Sequence, residues 1–189
     1  MVANTVCFLS TGLALSPDKR YAVISSTVPE AAGAVSIIDI SAEDPMAWPP
    51  TMVDMTGLTG LTNPDTPHPG VISINEENRA IVSLPKNNAF VVIDVVSGTV
   101  IDSFTQGSVD LTNVDLVDNG IIDQSESKSG VLREADGVAW IGTEYFASAN
   151  KGGKIIAQLL TASQTHVSSC FIDYSNFYWR NTRFHNLLS

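Results

Sequence analysis

The stretch Leu13-Ala-Leu-Ser-Pro-Asp-Lys-Arg-Tyr-Ala-Val-Ile-Ser25 lies without a gap over Ile72-Ser-Ile-Asn-Glu-Glu-Asn-Arg-Ala-Ile-Val-Ser-Leu84, Arg20 over Arg79, at an offset of 59. Each copy reads as a strand, a polar turn and a returning strand. A third strand ending in Asp follows each: Val35-Ser-Ile-Ile-Asp39 and Val91-Val-Ile-Asp94. The second copy continues through Ser97-Gly98, a tight-turn signal, into Thr99-Val-Ile-Asp-Ser-Phe104. A more worn third copy starts at Gly137, where Gly137-Val-Ala-Trp-Ile141 matches Gly70-Val-Ile-Ser-Ile74 at an offset of 67. Tyr145-Phe-Ala-Ser-Ala-Asn150 then stands for Arg79-Ala-Ile-Val-Ser-Leu84.

The apolar period is near two, the runs are short and β-branched, and Pro, Gly, Asn or Asp bounds each of them. No stretch before residue 150 sustains a helical stripe. The chain reads as all-β, with repeats near 10–45, 67–105 and 133–150. Four antiparallel strands at a fixed period mark the blade of a β-propeller, here with about three repeats. Val23, Ile37, Ile38, Ile81, Val92 and Ile93 are the expected core. The stretch 41–66, with Trp48-Pro-Pro and Gly57-Leu-Thr-Gly-Leu-Thr, reads as a long linker decorating the propeller's edge.

Composition bounds the rest. The 189 residues make 20.2 kDa with a mean hydropathy of +0.14, enough for one domain with a real core. Twenty acidic residues against ten basic ones leave −10 and a pI near 4.5, which disfavours nucleic acid and anionic membranes as partners. No apolar run nears the ~20 residues of a membrane span. The first residues lack the basic region of a signal peptide. Cys7 and Cys170 either pair in an oxidising compartment or stand as isolated thiols, and no Cys-x-x-Cys offers a zinc site.

Charge changes at residue 150. Residues 151–189 hold four basic residues and one acidic, no proline, and no glycine after Gly153. Six aromatic residues from Phe171 to Phe184 crowd into this end. The tail reads as an atypical element. Either Ile155-Ile-Ala-Gln-Leu-Leu160 adds a strand or short helix and the aromatics cap an open sheet, or the tail is a foreign reading frame.

Several motifs together resemble the bacterial choice-of-anchor I propellers, relatives of phytase-like, esterase-like domains. They are Pro67-His68-Pro69-Gly70-Val71, Asn87-Asn88-Ala89-Phe90-Val91-Val92-Ile93-Asp94 and Arg133-Glu134-Ala135-Asp136-Gly137-Val138-Ala139-Trp140-Ile141. More distantly, the blade unit resembles surface-layer and lactonase-like propellers. The resemblance covers roughly residues 10–150 and implies an extracellular, periplasmic or cell-surface protein.

Two sets of residues carry candidate chemistry. Asp115-Leu-Val-Asp-Asn119-Gly-Ile-Ile-Asp123-Gln-Ser-Glu126 reads as a twelve-residue calcium loop, with Asp115, Asn119, Asp123 and Glu126 as oxygen ligands. Val117 cannot ligate, and the alternative is an Asn-Gly turn in an acidic interblade loop. Arg133, Glu134 and Asp136, with His68 in the corresponding place of the second repeat, are the candidate catalytic group. Arg133 would grip a phosphate or carboxylate, and the two acids would hold a metal or move protons. The alternatives are an Arg that orders its loop between carboxylates and a His that stiffens a turn between two prolines. No nucleophile elbow, Walker loop, His-Glu-x-x-His or Gly-x-Gly-x-x-Gly is present.

Two functions are therefore expected, the first favoured. One is a non-catalytic propeller segment presenting interblade loops to a small-molecule or protein ligand. The other is a calcium-dependent phosphoesterase of the phytase-like or alkaline-phosphatase-associated kind. Unpaired sheet edges also point to self-association.

Overall fold

Turn chemistry sets where each strand reverses. The structure, a computed structural model, describes residues 9–28, 31–117, 119–150, 156–161 and 166–170, the last two ranges by their backbone pairing alone. Ser16 Oγ accepts the Tyr21 amide at 2.8 Å, and Lys19 takes the left-handed conformation (φ 61°). In the next repeat Asn75 Oδ1 accepts the Glu77 and Arg79 amides at 3.0 and 2.9 Å, and Asn78 is left-handed (φ 57°). A side chain that bonds its own turn is what favours Ser and Asn there.

These turns join β1 (Leu9–Leu15), β2 (Tyr21–Val28), β3 (Ala31–Asp39) and β4 (Pro50–Val53) into one antiparallel sheet, blade 1. Blade 2 is β5 (Ile72–Ile74), β6 (Arg79–Leu84), β7 (Ala89–Asp94) and β8 (Thr99–Thr105). A hairpin of β9 (Ser108–Val114) and β10 (Glu126–Leu132) follows. Blade 3 is β11 (Ala135–Ile141), β12 (Tyr145–Asn150), β13 (Ile156–Thr161) and β14 (His166–Cys170). The only helical segments among the described residues are short 3₁₀ turns at Pro45–Ala47 and Pro85–Asn87. This is an all-β fold of consecutive four-stranded propeller-type blades.

Two local expectations change, and one stated alternative for the tail, a strand, is present. The stretch 41–66 is not wholly a linker, because Pro50–Val53 pairs with β3 as the outer strand of blade 1. Ile156–Thr161 pairs with β12 as a strand, so blade 3 draws two strands from beyond residue 150. The ungapped repeat alignment is one residue out of register. Ser16 N bonds Tyr21 O where Asn75 N bonds Arg79 O, so the first turn is one residue longer. Tyr21 opposite Asp39, rather than Arg20, therefore corresponds to Arg79 opposite Asp94. In blade 3, Trp140 opposite Phe146 corresponds to Ile74 opposite Ala80, an offset of 66 in place of 67. A slip of one residue exchanges the two faces of a strand, so the correction decides which side chains meet. Cys7 and the aromatic run from Phe171 to Phe184 lie outside the described residues.

The blades stack face to face. Val23, Val35 and Ile37 of blade 1 pack with Ala80, Val82, Val91 and Ile93 of blade 2. On its other face blade 2 turns Ile81, Phe90, Val92 and Phe104 to Ala135, Val138, Trp140 and Phe146 of blade 3. Of the expected core, Val23, Ile37, Ile81, Val92 and Ile93 are buried, while Ile38 is half-buried on the outer face of blade 1. Phe90 meets Phe146 edge-on at 5.1 Å and Phe104 at 5.8 Å. Polar contacts tie the same neighbours. Asn78 Nδ2 donates to Asp18 Oδ2 at 2.9 Å, and Trp140 Nε1 donates to Ser73 O at 3.1 Å. The Ser16 hydroxyl, then Asn78 and the Arg20 amide, hold the Asp18 carboxyl down at about 2.

Phe90→Ala should lower the unfolding free energy by about 3–5 kcal/mol in urea titrations, since it opens a cavity between two sheets. Ile122→Ala, at a site 86% exposed on the hairpin tip, should change it by no more than about 0.5 kcal/mol.

Candidate functional site

The first strand of each blade is its innermost. β1 lies against β5, and β11 against β5 and β6. All three begin at one end of the stack, so the residues just before or at their starts converge there. A cleft of about 320 Å³ opens at this end, lined by Thr11, Thr27, His68, Pro69, Gly70, Val71, Pro85, Lys86 and Asp136. Every blade contributes to it.

Its walls are rigid for identifiable reasons. Thr11 Oγ1 donates to Pro69 O at 2.7 Å and the Ser25 hydroxyl donates to Gly70 O, stitching blade 1 to the entry of β5. The approach is close enough that a side chain at Gly12 would meet Gly70 O at 2.6 Å. Across the cleft, Gly70 N donates to Ser83 O at 2.7 Å, and Ser83 Oγ accepts the Val71 amide at 3.0 Å.

Asn87 organises the loop that carries His68. Its buried amide donates to the carbonyls of Thr62, Asn63 and Thr66 at 2.8, 3.1 and 3.0 Å, and its Oδ1 accepts the His68 amide at 2.8 Å. The His68 ring is partly sunk, with Nδ1 buried and without a hydrogen-bond partner. Burial first, and then the charge of Lys86, pull its pKa below the ordinary 6.5. His68 is therefore a neutral imidazole at pH 7.

A second polar knot places the start of β11. Asn88, left-handed at φ 47°, donates from Nδ2 to Gly107 O at 3.0 Å and accepts the Glu134 amide at 3.2 Å. Gln106 donates to Ala89 O at 2.8 Å, and its Oε1 accepts the Ala135 amide. Arg133 Nη1 donates to Gln106 O at 2.7 Å, while its Nε is buried without a partner and burial pulls the guanidinium pKa down. Glu134, also left-handed (φ 47°), turns the chain into β11. The structure thus brings His68 and Asp136 into one cleft. It sets Arg133 and Glu134 beside that cleft, engaged with the knot. Arg133 orders its loop through the backbone carbonyl of Gln106; Arg20 pairs with Asp39 and Arg79 with Glu77.

Asn87, Asn88 and Gln106 were not singled out by sequence reasoning. For Asn87 and Asn88 a signal was available, since amides next to the apolar run Ala89–Ile93 are buried with it and need partners; Gln106, after the polar strand β8, carried no such signal.

The acidic loop sits at the tip of the β9–β10 hairpin. Asp115 accepts the Val117 and Asp123 amides at 3.2 and 3.1 Å, Asn119 that of Ile121 at 2.9 Å, Asp123 that of Ser125 at 3.1 Å, and Glu126 that of Leu116 at 2.7 Å. Among the described residues no three His, Cys, Asp or Glu gather closely enough to hold a metal ion. In this arrangement Asp115, Asn119, Asp123 and Glu126 each accept a backbone amide of the loop itself.

Residues 65–167, more than half of the chain, match the family model described as the choice-of-anchor I domain. Among solved structures, the one titled "Crystal structure of RRP9 WD40 repeats" is similar at a TM-score of 0.54 and 10% identity, over 90% of this chain. The present chain spans 41% of the length of that one. At such identity the likeness concerns the fold, a β-propeller. No curated protein matches the sequence.

Asn87→Ala leaves up to three carbonyls short of a donor and should cost about 1–3 kcal/mol, read from thermal melts. Because the folded state resists protonating His68, stability should be full above pH 6.5. It should decline as pH falls from there through the lowered folded pKa, since the unfolded chain takes the proton first. His68→Gln should flatten this part of the stability profile, and an NMR titration of the His68 ring should place its midpoint below 6.5.

Proposed function

The chain belongs to the choice-of-anchor I family, and from that premise we propose that it acts as a non-catalytic binding propeller of the cell surface or exterior. The cleft at the innermost strands takes a short peptide segment or small ligand. The observation that supports this reading is the convergence of all three blades on one rigid cleft. Its rim carries both signs of charge, in Lys86 and Asp136, and its walls include Pro69, Val71 and Pro85. Apolar walls with a few placed polar groups are what ligand sites use for orientation. The neutral His68 adds a ring that can donate or accept a hydrogen bond without charge. No helix among the described residues is long and apolar enough to cross a membrane.

The local chemistry favours binding over turnover. The two acids nearest Arg133 are held apart in role: Glu134 shapes the turn before β11, while Asp136 faces the cleft. Selection of displayed random short peptides on the wild-type chain should yield binders that Lys86→Glu or Asp136→Lys weakens at least about tenfold, which is about 1.4 kcal/mol. Failure to enrich any binder sensitive to these substitutions would remove the cleft from consideration. In parallel, p-nitrophenyl phosphate with added calcium should stay unhydrolysed. Chelator-sensitive release of nitrophenol would favour the phosphoesterase reading instead.

A further inference from the structure

A second groove lies at the opposite end of the sheets from the cleft, where β1 turns into β2. Tyr21, the first residue of β2, stands there opposite Asp39, the last of β3, and Arg79 of β6 opposite Asp94, the last of β7. The groove runs between blade 1 and the β7–β8 turn of blade 2. It encloses about 390 Å³, a volume in the range of small-ligand sites. Its floor is apolar: Tyr21, Ile37 and Val95 are buried, and Val96, 63% exposed, stands at the rim. The two blades nearly touch along its outer side, where a side chain at Gly98 would meet Thr51 Cγ2 at 3.1 Å.

One wall is an ion pair held in a fixed posture. Arg20 donates from Nε and Nη2 to a single oxygen of Asp39, Oδ2, at 3.3 and 3.2 Å. Its Cζ lies 5.3 Å from the centre of the Tyr21 ring. The other Asp39 oxygen accepts the Ser41 amide at 2.9 Å. Both carboxylate oxygens are thus engaged, whereas among the described residues Arg20 Nη1 and the Thr51 hydroxyl have no hydrogen-bond partner. The groove therefore offers donors above an apolar floor. A guanidinium already held by an internal partner loses little further freedom when a ligand arrives.

We propose that this groove binds a small monocarboxylate with an apolar body, its carboxylate on Arg20 and its body against Val96 and the floor. A planar guanidinium matches the two oxygens of a carboxylate. A phosphate dianion suits the groove less. Hydrogen bonds from Ser41 first, and then from Arg20, hold the Asp39 carboxyl below its usual range, so a negative charge stays beside the site. The groove shares no residue with the cleft at the first strands, and the proposal stands apart from what that cleft binds.

Amide NMR on the full chain should show 3-phenylpropionate moving the Tyr21, Val96, Ser97 and Gly98 signals along one saturating curve. The neutral 3-phenylpropionamide keeps the shape without the charge and should bind at least about tenfold more weakly. Val96→Asp, at an exposed turn position outside the ion pair, should weaken the acid at least as much while signals away from the groove keep their places. Arg20→Lys should weaken it too, because an ammonium keeps the charge and loses the fork. Equal affinity for acid and amide overturns the proposal. So do shifts that gather at His68 and Gly70 instead, or no saturation by about 20 mM acid. Inorganic phosphate that occupies the groove more tightly than the acid overturns it equally.

Discussion

Blade 2 is covered on both faces, and the other described parts of the molecule are arranged around that fact. β6 from Ala80 to Leu84 and β7 from Ala89 to Ile93 are buried without a break. Alternate residues along them go to two different neighbours: Ala80 and Val82 to blade 1, Ile81 to blade 3. A strand buried on both faces loses the alternation of apolar and polar residues and reads as a continuous apolar run. That double burial orders the three sheets as a stack and brings their first strands together at the inner side.

The polar residues at the ends of those strands follow from the same constraint. A sheet packed on both sides still needs partners for the backbone groups at its ends, where the chain turns. Asn87 and Asn88, at the entry to β7, and Gln106, at the exit of β8, provide them. Their amides bind the loop ahead of β5, which carries His68, and the start of β11, which carries Asp136. The rigidity of the cleft is thus a by-product of satisfying buried backbone. Arg133 belongs to this arrangement too: its Nη1 donates to Gln106 O, which holds it beside the cleft and not among the lining residues.

The two loops show what spacing along a chain leaves open. Pro67-His68-Pro69 read either as carrying a catalytic histidine or as a stiff turn, and its residues His68 and Pro69 line the cleft. Asp115 to Glu126 read as a calcium loop from spacing alone. Spacing along a chain says which oxygens are available, but their direction depends on the turn that the backbone adopts. Here the hairpin ends of β9 and β10 draw those oxygens onto neighbouring amides.

By itself the sequence determined the strand content, the three-fold repetition and the family, because β-branched runs of period two and turn residues are local signals. Val23, Ile81 and Val92 were legible as core for the same reason, and His68 as a loop residue next to a first strand, whereas Asp136, read as lying ahead of the strand, is the second residue of β11. Only the tertiary structure decided which face of each strand meets which blade. The ungapped match of Arg20 with Arg79, and of Gly137 with Gly70, is one residue from the true correspondence. Composition scarcely registers such a slip, since the residues on either side are also apolar. In a pleated strand it exchanges buried and exposed faces, and only the pairing of strands distant in sequence can detect it. The cleft was hidden for the same reason: its walls come from residues 11 to 136, brought together by the stacking of sheets and by no local pattern.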